Sequence, residues 1–204
     1  MQKRYRITAL LLAALCLPLA GCSREPDFEK ESELPYGATM REDKVSFAIP
    51  MTYDRRFIDD PQVTAVADFL ASIQNADGDL YRSSTFDYYA DYQVNEVYSY
   101  KTAQELVQAL HDSVASYSGD DFTFNMVLIN DFTTDRDTTN LSDAFGLLDG
   151  IAPESTPKPS ETIEEAWDLT VEWDIAYNGG ESYYVVEEQH VLLFKDGDKY
   201  LCMM

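Results

Sequence analysis

The sequence predicts an α+β domain in which N-terminal helices pack on a curved antiparallel sheet that ends in a three-strand meander. Three observations carry that expectation. Apolar residues recur at helical spacing between capping residues through the first part of the chain. The period changes to two after Gly119. From Trp167 onward, long alternating stretches are separated by Gly-containing turn signals.

The chain opens on a basic stretch, Met1 to Arg6, and an apolar one, Ile7 to Leu17. The apolar run is too short to span a bilayer, which takes about 20 residues, but suits the core of a secretory signal. Leu19-Ala20-Gly21-Cys22 follows and resembles the bacterial lipobox, a Leu and two small residues before an invariant Cys. The resemblance implies cleavage before Cys22 and a diacylglyceryl group on its thiol. Two acyl chains hold a membrane firmly where one does not. The expected organisation is a signal peptide over 1–21, a lipidated N-terminus with a flexible acidic linker over 22–43, and the domain over 44–204. Membrane contact through lipid on Cys22 and a position on the extracytoplasmic side follow from the same reading.

With 15 Lys and Arg against 37 Asp and Glu, the formal charge is −22, and loss of Lys3, Arg4 and Arg6 with the leader makes it more negative still. Such a field repels nucleic acid and anionic headgroups, so no nucleic-acid partner is expected. The simplest role of the charge is solubility. Of the three cysteines, Cys16 lies in the leader and Cys22 at the cut, leaving Cys202 alone. No disulfide within the domain is expected, and Cys202 reads as a small core hydrophobe.

The domain's elements follow in order. Val45 to Ile49 alternates as an edge strand. Asp60-Pro61 reads as a helix start, with Asp at the N-cap and Pro at N1, and Val63, Val66, Leu70 and Ile73 keep helical spacing up to Gly78. Leu80 to Tyr92 reads as a second, aromatic-rich helix and Val94 to Tyr98 as a short strand. Thr102-Ala103-Gln104-Glu105 is a capping box opening a helix that Gly119 closes. Phe122 to Phe132 is a strand. A short helix over Ser142 to Leu148 and a Pro-rich loop with Pro153, Pro157 and Pro159 come next. Trp167 to Tyr177 then alternates without a miss, Asn178-Gly179-Gly180 signals a hairpin, and strands over Tyr183 to Lys195 and Lys199 to Met204 flank Asp196-Gly197.

Helices first and an antiparallel meander last, with Asp-Gly-Asp-Lys-Tyr before the final strand, resemble the NTF2-like superfamily. The resemblance covers Pro61 to Met204 and implies an α+β cone whose sheet and helices enclose a pocket. It places no catalytic motif, and fold alone does not decide function.

One candidate pocket comes from strand pairing. An even-length loop at Gly179-Gly180 sets the odd residues of Trp167–Tyr177 on one face with Tyr184, Val186, Glu188, His190, Leu192 and Phe194; a three-residue loop would reverse that face. On this register Glu188 and His190 stand among Trp167, Trp173 and Tyr184, so these five residues are the ligand-binding candidates. A Glu and a His there can do acid–base chemistry or hold a polar group, since burial shifts both. The alternative is a core His satisfied by a neighbour. His111 lies off the apolar stripe of its helix and reads as solvent-exposed. Asn75, Asp77 and Asp79 read as a turn, and Glu164, Glu165, Asp168, Glu172 and Asp174 as a solvated acidic face. No metal, cofactor or catalytic residue is assigned: zinc spacing, nucleophile elbow and phosphate loop do not occur. The leading expectation is a non-enzymatic binding or accessory domain for a small apolar ligand or a protein partner. A small isomerase or hydrolase using His190 and Glu188 stands second, and a purely structural envelope protein third.

Overall fold

A computed structural model describes residues 30–204 of the protein apart from Val45. The leader and Cys22 lie outside the described residues. Lys30–Leu34 carries one 3-10 turn, Glu31–Glu33. The compact unit runs from Pro35 to Met204, so it takes in the end of the stretch read as linker over 22–43. The cause is a buried carboxylate. Asp54 is fully buried and accepts from Gly37 N at 3.0 Å, Thr39 Oγ1 at 3.1 Å and Arg56 Nε at 2.9 Å. The Arg56 guanidinium holds its carboxyl well below the usual carboxylate range. Tyr36 adds a hydroxyl donated to Ile129 O at 2.9 Å.

Two short strands follow, β1 over Arg41–Asp43 and β2 over Met51–Tyr53. They flank the stretch expected as a strand, Val45 to Ile49. Ser46–Ile49 runs as bends and Ile49 turns into the core. Helix α1 spans Asp60–Gln74, capped one residue earlier than the sequence suggests: Asp59 N donates to Gln62 Oε1 at 2.7 Å. Helix α2, Gly78–Ser84, starts at Asp77, whose carboxylate accepts from Asp79 N and Leu80 N. A Cβ on Gly78 would come within 2.8 Å of the Gln104 backbone, so only Gly lets α2 sit directly on the next long helix.

The aromatic helix expected over Leu80 to Tyr92 is broken at Thr85, whose hydroxyl donates to Cys202 O at 2.6 Å. Helix α3, Asp87–Tyr92, passes straight into a π turn, Gln93–Val97, where a strand was expected. Helix α4, Ala103–Ser118, starts where expected, with Thr102 Oγ1 accepting from Glu105 N at 3.2 Å, while the Glu105 carboxylate accepts from Lys101 N at 2.9 Å, one residue outside the expected box. Strand β3, Thr123–Thr133, leads to helix α5, Thr139–Ile151, longer than the sequence suggests, and to the single turn α6, Pro159–Thr162. Asp149 ties α5 to α6 by accepting from Ser160 N at 2.9 Å. The chain ends in β4, Glu165–Tyr177, β5, Ser182–Asp196, and β6, Lys199–Met203.

The class is α+β. Among the described residues six strands form one sheet in sequence order, and β3 to β6 are antiparallel throughout. The sheet is mixed, however, because β2 and β3 pair in parallel. Helices α1 to α4 lie between them in sequence, and a connection of that length returns the chain in the same direction. Helices also cover both faces. On the inner face α1, α2 and α4 pack with Trp167, Leu169, Val171, Trp173, Val191, Leu193 and Cys202 into the main core. On the outer face α5 and α3 cover one end, where Leu141, Phe145 and Leu148 meet Phe194, Leu201 and Met203.

Candidate functional site

The hairpin between β4 and β5 has an even loop, as the sequence suggests. Tyr177 pairs with Ser182, and Ile175 and Trp173 face Tyr184 and Val186. The register then shifts. Trp173 pairs with Val186 but Val171 pairs with Gln189, so Glu187 and Glu188 together stand opposite Glu172. That is a β-bulge, and its extra residue exchanges the faces of everything beyond it. Glu188 takes φ 55°, in the left-handed region.

The five candidates are therefore not brought together. Trp167 and Trp173 are 7% and 5% exposed in the main core. Tyr184 shares their face but lies at the open end of the sheet, with its ring 5.0 Å from Tyr117. Glu188 is exposed at the bulge. His190 pairs with Thr170 and faces outward, on the opposite side of the sheet from both tryptophans. The expected shared face is corrected by one extra residue in β5.

On that outer face His190 meets a group read from the sequence as solvated. Asp168 is buried, and its Oδ1 accepts from His190 Nδ1 at 2.7 Å. Its second oxygen, Oδ2, accepts from Asn140 Nδ2 at 2.8 Å, a contact made from the start of α5. A carboxylate can only accept, so Nδ1 carries the proton, and a neutral imidazole is left with Nε2 as acceptor. The His190 side chain is 46% exposed, which keeps the ring accessible.

His190 lines a cleft of about 290 Å³ between α5, α3, the middle of β5 and the end of β6. Its walls are mainly Ala144, Leu147, Leu192 and Met203, with Asn140, Asp143 and Tyr89 as polar points. Tyr89 is already committed: its hydroxyl donates to Met204 O at 2.9 Å and accepts from Gln93 Nε2 at 2.7 Å. Burial pushes its pKa up to about 12, so it stays protonated. Among the described residues no Ser, Thr, Cys or Lys lines the cleft. The site thus offers an apolar slot, one oriented imidazole acceptor and one exposed carboxylate, Asp143.

Sequence reasoning reached His190 but gave it the wrong neighbours. Asn140 and Asp168 were missed as its support, because a polar residue at an alternating position looks solvated until a helix covers it. The other expectations resolve as structure. His111 is half-buried, and its Nδ1 donates to Gln74 O at 2.9 Å and Ile73 O at 3.2 Å, closing the C-terminus of α1. Asp77 is a helix cap, as the turn reading implies. Cys202 is fully buried and burial pushes its thiol pKa up, as befits a core residue. No protein-family model, curated protein or solved structure matches the chain.

Proposed function

We propose that the chain is a lipoprotein anchored at Cys22 on the extracytoplasmic side of a membrane. Its domain is a non-enzymatic binding module for a small, largely apolar ligand that carries a hydrogen-bond donor. The anchoring half rests on the leader and lipobox. The binding half rests on one observation: His190, steadied by buried Asp168 and Asn140, at the mouth of an apolar-walled cleft. A ligand hydroxyl or amine would donate to His190 Nε2 while its apolar body lies against Leu147, Leu192 and Met203, the usual division of labour in small-molecule sites. An NTF2-like kinship is part of the same reading. Helices before a terminal meander support it, whereas the parallel β2–β3 pair and the helix on the outer face are departures from the expected cone.

A second reading has a specific observation in its favour. A buried carboxylate holding an imidazole by Nδ1 is how many enzymes orient a general base. On that reading His190 moves the proton and Asp168 steadies the imidazolium. Glu188 drops out, since it does not line the cleft.

The two His residues make the test direct. With labelled histidine, titration by small apolar alcohols and amines should move the His190 resonance saturably and leave His111 in place. Leu147→Asp, which puts a charge on the apolar wall, should abolish the shift. If no probe moves His190 at millimolar concentration, the binding reading fails; if a probe is converted, the enzymatic reading replaces it. For the anchor, the mature protein should fractionate with membranes and carry acyl mass on Cys22. A Cys22→Ala variant that remains acylated would overturn the lipoprotein reading.

A further inference from the structure

The β5 side of the sheet is only partly covered. β5 pairs with β4 from Ser182 onward, but β6 pairs with β5 only over Leu192–Asp196. Among the described residues no strand lies beside Ser182–Val191 on the side away from β4. A strand directs about half of its N–H and C=O groups to each side, so this edge presents unpaired main-chain donors and acceptors.

The two edges of the sheet are built differently. At the other edge β1 is Arg41-Glu42-Asp43, short and fully charged, which discourages strand addition. On β5 the edge reads Ser182-Tyr183-Tyr184-Val185-Val186, free of charge, Gly and Pro, and rich in strand-forming types. Tyr183, Tyr184 and Val185 are all exposed. Tyr184 with Tyr117 makes an apolar shelf on the inner face, and Tyr183 with Val185 makes one on the outer face. The bulge at Glu188 closes the stretch on the side of the His190 cleft.

Charge selects the occupant. Glu181 precedes the stretch, Glu187 and Glu188 follow it, and Glu172 stands across on β4. Among the described residues none of these four forms an ion pair. A second copy adding antiparallel about Tyr184 and Val185 would set Glu181 against Glu188, and like charges directly opposite destabilise pairing. Each chain also carries a formal charge of −22. Lys or Arg at the same positions of another strand would be drawn in.

We infer that the free edge over Ser182–Val186 is a strand-addition site for an extended segment of another protein, with apolar alternate side chains between basic flanks. Main-chain hydrogen bonds would supply the affinity and the two tyrosine shelves the side-chain contacts. The site is separate from the cleft and does not depend on what the cleft binds.

Hydrogen exchange of the full chain in detergent, read by mass spectrometry, tests this with defined probes. A short peptide of alternating valine and threonine, flanked by lysines, should slow exchange over 182–186 and leave α1 and α4 unchanged. Glutamate in place of its lysines should weaken binding by roughly tenfold or more, and N-methylation of alternate amides should abolish it. The double variant Glu187→Lys, Glu188→Lys should reverse the preference toward the acidic peptide, with the rest of the exchange map kept as proof of folding. Equal protection by both peptides, protection elsewhere, or none at millimolar peptide overturns the inference. A chain that sediments as a dimer with this edge already protected assigns the edge to a second copy instead.

Discussion

The two halves of β5 behave as different strands. From Ser182 to Val186 it has one neighbour, and its side chains are exposed or half-buried. From Leu192 to Asp196 it has two neighbours, and it sends Leu193 into the main core and Phe194 into the second. Glu187 and Glu188 lie between them. The difference shows that one unpaired residue decides what a strand is for: before it the inner-face set is Tyr184 and Val186, after it Val191 and Leu193. His190 reaches the cleft only because of that exchange.

Inserting one alanine between Gln189 and His190 should give the largest effect. It would force the residues beyond it to change faces, turning Val191 and Leu193 out and His190 in, or else slide the register against β6. Exposing two core aliphatics in this way should cost more than about 4 kcal/mol, visible as loss of the cooperative urea transition. An insertion variant within about 1 kcal/mol of the parent would break the comparison.

Truncations in the two halves should differ next. Phe194→Ala removes a fully buried ring packed against Phe86 and Phe145, and should cost about 3–5 kcal/mol. Tyr183→Ala, at a residue 58% exposed, should stay within about 0.5 kcal/mol. Chemical denaturation of both variants gives the ratio, and equal losses would mean the first half is as well packed as the second.

The smallest effect sharpens the role of the bulge itself. Glu188 sits at a positive φ that costs an L-residue about 1 kcal/mol. Glu188→Gly should relieve part of this and raise stability by about 0.5 kcal/mol, with the His190–Asp168 contact intact by NMR. A loss of stability instead would show that the Glu188 side chain itself is needed.

Much of this fold is legible in the sequence where a signal is local. Thr102 caps α4 because its hydroxyl needs only the residues beside it. The even loop at Asn178–Glu181 follows from a short Gly-rich turn, and α+β from the change of period. What could not be read depends on distant partners. The parallel pairing of β2 with β3 joins segments separated by four helices. Val94 to Tyr98 looks like a strand because its spacing is that of a strand, yet Gln93–Val97 continues α3 as a π turn. The bulge escaped because the left-handed position is held by Glu188 instead of Gly or Asn, the residues that advertise it. Its invisibility alone moved His190 to the wrong face.

The Asp54 clamp has a mechanical consequence for a domain tethered through Cys22 as proposed. The chain enters the compact unit at Pro35, so a pull from the membrane arrives first at Pro35, whose carbonyl accepts from Arg56 Nη2 at 2.7 Å, and at Tyr36, bonded to Ile129 O, and then at Gly37 and Thr39. Gly37 and Thr39 are bonded to one buried carboxylate, Asp54, which Arg56 holds in place. Tension thus meets several bonds in turn, three of them to residues of the Asp54–Arg56 pair. Behind them, Arg41 Nη1 meets Asp60 Oδ1 at 2.7 Å and joins β1 to the first turn of α1. The domain is gripped at a charged knot, well away from the β5 edge and the His190 cleft in sequence, so membrane traction need not pass through either.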